Sequence, residues 1–228
     1  MSDNIYVGYD RVIAKIDNSC LCGWEEVKTI EQLKAAADDR TPNFTVCVNW
    51  VGAKIPKKLM QQLLGTIHQF PRTEVGFVLY YNSLKKEWAV KCPEQDGYGA
   101  FVAFKDNGVP PAPGFATIGT LHTHPEMGAF WSGTDADDQV GKFGVHFVFG
   151  LHEGHVKRTL CTVFTMSGQY DQQLSDIIEA VDFDADYAPN EDWVRKIKAG
   201  HGSEIFSNDE KEARARDVRR RRAQMAGA

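Results

Sequence analysis

Four residues able to bind a metal ion or steady a charged intermediate fall close together in the order His122-Thr123-His124, seven residues, Ser132, two residues, Asp135. Two histidines at i and i+2 on a strand project from the same face, because side chains alternate with period two. Both imidazoles can therefore reach one ion. Asp135 follows His124 by eleven residues, enough for a loop to turn back and bring a carboxylate over the strand end. A catalytic zinc takes three ligands of this kind and leaves one tetrahedral position for water. Amide hydrolysis also needs a group that takes a proton from the attacking water and passes it to the leaving amine. Glu74, at the leading edge of an apolar run, is the candidate base. Ser132 is a candidate hydrogen-bond donor to the oxyanion, a contact worth on the order of 3 kcal/mol in the transition state.

Each residue alone has a plainer explanation. Ser132-x-x-Asp135 at a helix start matches a capping box, and capping can coexist with ligation. A strand His-x-His is commonly a surface feature, and one glutamate signals nothing. Together, the H-x-H-x7-S-x-x-D pattern arises by chance in roughly one sequence in two thousand of this composition. Other metal chemistries fit less well. The deaminase pattern needs H-x-E with P-C-x-x-C, and His124-Pro125-Glu126 has no C-x-x-C to complete it. The helical H-E-x-x-H is absent; His152-Glu153-Gly154-His155 is one residue short and reads as an exposed hairpin turn. His146 reads as a sheet histidine, with a place behind the metal as the alternative. His68 and His201 read as surface residues of a helix and of the tail. Cys92 has no histidine partner to make it a nucleophile.

These side chains need a scaffold of strands. Phe44, Val46, Val48 and Trp50 alternate with polar residues, which predicts a strand. Pro56 is expected as the first helical residue of a segment whose Leu59, Leu63, Leu64 and Ile67 share one face, with Pro71 ending it. Strands are expected over 5–16, 74–81, 87–91, 99–104, 117–124, 145–149 and 158–165. Helices are expected over 29–38, from Ser132 to about Lys142, over 172–181 and over 190–198. This order predicts an α+β fold, a mixed sheet flanked by helices. The expected division is an accessory amino-terminal segment (1–42), a catalytic domain (43–185), a helix (186–202) and an Arg-rich tail (203–228). Loops 92–99, 105–114 and 126–131 are where specificity is expected to reside.

Composition sets the setting. The chain has 228 residues, 43% hydrophobic and 25% charged, with a net charge of −5. No apolar run approaches the roughly 18 residues that span a bilayer, and no secretory signal is visible at the amino terminus, so the expected home is the cytoplasm. Five scattered cysteines fit a reducing compartment rather than a disulfide framework. The acidic balance gives no global attraction to nucleic acid. The run Arg214 to Arg222 is the one basic block; it reads as a solvated end, with nucleic acid or an acidic protein as the alternative partner.

Glu74 followed by His122-Thr123-His124, Ser132 and Asp135 resembles the JAMM (MPN-plus) signature E…H-[ST]-H-x7-S-x-x-D at every position. The segment Ala129-Phe130-Trp131-Ser132-Gly133-Thr134-Asp135-Ala136-Asp137-Asp138 also resembles prokaryotic JAB proteins of mobile elements, including the PRTRC protein A group. The resemblance spans about residues 43–170. It implies a cytidine-deaminase-like fold with a curved mixed sheet, and a zinc peptidase or isopeptidase acting at the carboxyl terminus of a ubiquitin-like protein or a small peptide conjugate. It carries His122, His124 and Asp135 over as Zn2+ ligands, Glu74 as base and Ser132 as oxyanion donor. Met127, Phe130 and Trp131 are the expected substrate contacts, with core packing as the alternative. The competing reading is a catalytically silent scaffold of the same fold, although such proteins usually lose the ligands that this chain keeps.

Overall fold

The structure is a computed structural model that describes residues 4–7, 12–17, 21–26, 47–50, 52–99, 101–105, 110–133, 135, 144–164 and 169–200. The expected helices over 29–38 and to Lys142, and the Arg-rich tail, lie outside the described residues or largely so. Three sheets are present among them. The first is an antiparallel meander of β1 (Asn4–Val7), β2 (Val12–Asp17), β3 (Leu21–Glu26) and β4 (Cys47–Trp50). Its last strand lies beyond the expected boundary at 42/43 yet pairs with β3, Leu21 opposite Trp50.

The central sheet has six strands: β5 (Gly76–Asn82), β6 (Glu87–Lys91), β9 (Ala116–His124), β10 (Gly144–His152), β11 (His155–Phe164) and β12 (Gln169–Asp171). Their order is β12-β11-β10-β9-β5-β6. All neighbours are antiparallel except β9 and β10, so the sheet is mixed, as expected. Every residue of β5 is buried, and β10 is buried up to its last residue, His152. That explains their nearly unbroken apolar runs, since a strand covered on both faces has no reason to alternate. A small third sheet joins β7 (Gln95–Gly97), β8 (Val102–Phe104) and β13 (Ile197–Ala199).

Helix α1 (Lys57–His68) lays Met60, Leu63, Leu64 and Ile67 into the core formed with Phe77, Leu79, Leu121, Phe147 and Phe149. Burying such side chains contributes about 1.5–3 kcal/mol each. Leu59 is only half-buried and Met60 takes the central place. Pro56 is not the first helical residue: its extended backbone (φ −61°, ψ 141°) makes it the N-cap. Proline has no side-chain acceptor to offer, so the free N–H of Lys57 is met by the Glu179 carboxylate, 2.7 Å away and 122 positions along the chain. The helix ends at His68, three residues before Pro71.

The two helices expected after β12 shrink to single turns, α2 (Leu174–Ile177) and α3 (Glu191–Val194). Tertiary bonds compete for their backbone. Ile177 C=O accepts from Ile55 N–H, and Glu179 N–H donates to Ile55 C=O, which draws residues 177–179 alongside residue 55. Asn190 caps α3 with its side chain, while its own N–H donates to the Thr66 hydroxyl in α1. Between them, a strap crosses α1 closely enough that a Cβ on Gly65 would lie 2.6 Å from the Tyr187 and Ala188 carbonyl oxygens.

Candidate metal centre

His122 and His124 close β9 and are both buried. Their Nε2 atoms stand 3.2 Å apart. Asp135 approaches with Oδ1 at 3.4 Å from His122 Nε2 and Oδ2 at 3.6 Å from His124 Nε2. A zinc tetrahedron with bonds of about 2.0–2.1 Å has donor-to-donor edges of about 3.3 Å. The two imidazole nitrogens stand at that edge, and each Asp135 oxygen lies close to it from one of them, so the donor set suits a divalent zinc. The His124 orientation fits as well: its Nδ1 lies 3.3 Å from the Gly128 carbonyl oxygen. A proton held there leaves the Nε2 lone pair free for ligation.

Ser132 and Asp135 close on one another. Asp135 N–H donates to the Ser132 hydroxyl (3.2 Å), and Ser132 N–H donates to Asp135 Oδ2 (2.9 Å). This is the reciprocal pattern of a capping box. The Ser132 hydroxyl also donates to Asp135 Oδ2 at 2.6 Å. In the resting site its proton is therefore committed to orienting the carboxylate rather than aimed at a substrate oxygen.

Glu74 lies two residues before β5 rather than in the strand, and only 4% of its surface is exposed. The β5–β9 register sets its position. Gly76 opposes His122, and the pairing continues outward as Thr123 N–H donates to Val75 C=O (3.0 Å) and Val75 N–H donates to the Thr123 hydroxyl (3.0 Å). One step further, Glu74 Oε1 comes within 3.9 Å of His124 Nε2. The other side of this segment is tied by Glu74 N–H to Tyr98 C=O and by Gln95, whose amide bonds both the N–H and the C=O of Gly76.

Electrostatics divides the two carboxyls. Burial drives Glu74 up to about 7, opposed by His124 and reinforced by Asp135. Burial acts on Asp135 in the same sense but is outweighed by hydrogen bonds with His122 and His124, by the His122 charge and by the Ser132 hydroxyl, which hold it well below the usual carboxylate range. Burial alone would lower His124, but Asp135, Glu74 and the Gly128 carbonyl raise it. Asp135 thus stays ionised, as metal ligation would require, while Glu74 sits near neutrality, where proton exchange is easiest.

Around this centre Phe130 is 46% exposed and stands edge-on to His124 with centroids 4.8 Å apart. Met127 is 36% exposed in the same loop. Trp131 is engaged otherwise: its indole N–H donates to Thr162, and its ring packs edge-on to His122 and Phe164. It is a wall of the site more than a free contact surface. His146, buried opposite Thr120, reaches the Thr120 hydroxyl at 2.9 Å and touches the far side of Trp131, so it stands behind the wall. The loop after His124 turns through Glu126 in the left-handed region (φ 53°), a conformation costing about 1 kcal/mol for a non-glycine residue. Its carboxylate is tied to His152 Nδ1 and accepts from Glu153 N–H. Of the four residues expected as an exposed hairpin turn, His152 and Glu153 are exposed, whereas Gly154 is buried and His155 half-buried; the turn itself lies at Glu153 and Gly154. The sequence does not single out Gln95, the supporting part played by Glu126, or the bond that Thr123 makes to Val75. The Thr between the two histidines was the one available signal.

No family model matches the sequence, and no curated protein does. Solved structures with partial likeness include a protein from Salinibacter ruber, at 15% identity and TM-score 0.34, covering 56% of this chain and 90% of that one. Another is a JAB1/MPN domain protein from Archaeoglobus fulgidus, at 19% identity and TM-score 0.31, covering 56% of this chain and 100% of that one. Among the described residues, no helix is long and apolar enough to cross a membrane.

Proposed function

We propose that the chain is a zinc-dependent peptidase or isopeptidase of the JAMM type that hydrolyses an amide bond at the carboxyl terminus of a ubiquitin-like protein or peptide conjugate. The observation that carries this reading is the triangle of two imidazole nitrogens and a carboxylate, with edges of 3.2, 3.4 and 3.6 Å, beside a buried glutamate. The match of these same residues to the JAMM motif supports it. His122, His124 and Asp135 hold the ion, which when bound acidifies a water and polarises a carbonyl. Glu74 takes the proton of the attacking water and hands it to the departing amine. Its burial keeps bulk solvent from competing for that proton. Ser132 orients Asp135 at rest; as charge develops on the substrate oxygen, its hydroxyl turns from the carboxylate to meet it. Met127 and Phe130 offer an exposed apolar rim for the residues flanking the scissile bond.

The test is cleavage of a ubiquitin-like fusion by the full chain with zinc or with chelator. Glu74→Gln is expected to keep zinc stoichiometry while turnover falls by about 10²–10⁴-fold, the usual contribution of a positioned base. His122→Ala should lose both zinc and turnover. Undiminished turnover in Glu74→Gln would remove Glu74 from the mechanism, and a zinc-loaded wild type with no amidase activity would favour the silent scaffold.

A further inference from the structure

A second set of metal-binding donors stands apart from the first. His68 closes α1, His155 opens β11, and Asp186 lies in the strap between α2 and α3. One ligand atom from each lies within 4.8 Å of the others. The two rings meet edge to face, with centroids 4.8 Å apart and planes at 62°. The sequence reads His68 as a surface residue, but both of its ring nitrogens are shut off from solvent without a hydrogen-bond partner, and so is His155 Nδ1.

Three buried ring nitrogens without partners are costly, because each has given up its bonds to water and gained none in return. Imidazoles buried this way are normally held by a carboxylate, a carbonyl, a water or a metal. Here two of them face one another with a carboxylate alongside, which is a two-histidine, one-carboxylate donor set. That set suits zinc and its divalent first-row neighbours. The ligand atoms lie within 4.8 Å of one another against the roughly 3.3 Å edge of a zinc tetrahedron, and Asp186, which is exposed, is the ligand free to swing inward.

We propose that His68, His155 and Asp186 form a second divalent transition-metal site, structural in role, that clamps the end of α1 to the β10–β11 hairpin and to the strap. The site has no water-activating glutamate in its donor set. Its three ligands come from segments up to 118 positions apart (68 to 186), so an ion there cross-links distant parts of the fold. The same hairpin carries His152 and Glu153, which hold Glu126 in the loop leading away from the first site. The clamp therefore braces that loop from behind, and it holds whether or not the first site proves catalytic.

The experiment loads the metal-free full chain with cobalt(II), followed by visible absorption, and with zinc, counted by elemental analysis after gel filtration. Asp186→Asn, at an exposed position, and His155→Gln are each expected to lose one equivalent relative to wild type, or to weaken one binding step at least tenfold. His122→Ala should lose a different equivalent, and the His122→Ala/Asp186→Asn pair should lose both. Full wild-type stoichiometry and affinity in both Asp186→Asn and His155→Gln would overturn the proposal. An equivalent lost in Asp186→Asn but none lost in His122→Ala would sustain this site while removing the first.

Discussion

Glu74 shows how one side chain can be shaped for chemistry at a cost to the fold. Its ordinary value of 4.5 is pushed up to about 7, chiefly by burial. Because the folded value lies above the unfolded one, the stability linked to this group is fully present below about pH 4.5 and is lost as pH rises through about 7. In metal-free protein, Glu74→Gln should therefore melt with wild type near pH 4 and above it at pH 8, by on the order of 2–3 kcal/mol. Thermal melts in chelator at the two pH values check this, and identical melts at pH 8 would refute it. At this scale the sequence is informative about which side chains could share one ion, since residue type and spacing limit ligand chemistry, and the structure brings His122, His124 and Asp135 together. It says little about what holds them. The amide of Gln95 on Gly76 and the carboxylate of Glu126 on the hairpin are long-range bonds whose partners are brought together only by the sheet.

Among elements, β9 and β10 matter most, and their close approach is enforced by missing side chains. A Cβ on Gly119 would lie 1.6 Å from the Val145 carbonyl oxygen, so these strands can adjoin only with glycine there. Gly150 pairs with His124, and a Cβ on it would meet the Met127 oxygen at 2.6 Å and the Ala129 nitrogen at 2.7 Å. Those are backbone atoms of the loop that supplies the Gly128 carbonyl to His124. Gly150→Ala should displace that loop, lowering zinc affinity at least tenfold and stability by about 1–3 kcal/mol. Competition titration against a chromophoric chelator measures the first, and unaltered affinity would contradict the coupling. The central strands and α1 were legible because apolar patterning is strong where burial is deep. The trailing helices were over-extended, because residues 177–179 spend their backbone bonds on Ile55 and not on a helix. The three-residue strands β7, β12 and β13 carry too few residues to show any period.

For the molecule as a whole, metal and fold should stabilise one another. An ion that binds only the native state adds about 2.7 kcal/mol at a hundredfold excess over its dissociation constant. For a chain of this size that corresponds to roughly 5–10 °C in melting temperature. Stripping with chelator should lower the melting temperature by that much and readdition of zinc should restore it; a melt indifferent to chelator would argue against any native-state metal. The α+β class and the mixed sheet were readable from the order of patterned segments. The antiparallel meander ending in β4 is legible only in part: strand content over 5–16 and up to Trp50 shows in the sequence, but the pairing of β4 back onto β3 does not. One bond reaches further than its length suggests. The Thr123 hydroxyl accepts from Val75 N–H, so the residue between the two histidines fastens the chain just after Glu74 to the strand that bears them. Glu74 and the two imidazoles are thus tied together through main chain adjoining the sheet edge. Surrounding loops can then be lengthened, shortened or exchanged while the cluster of Glu74, His122 and His124 keeps its alignment, which makes this scaffold a ready starting point for grafting new selectivity.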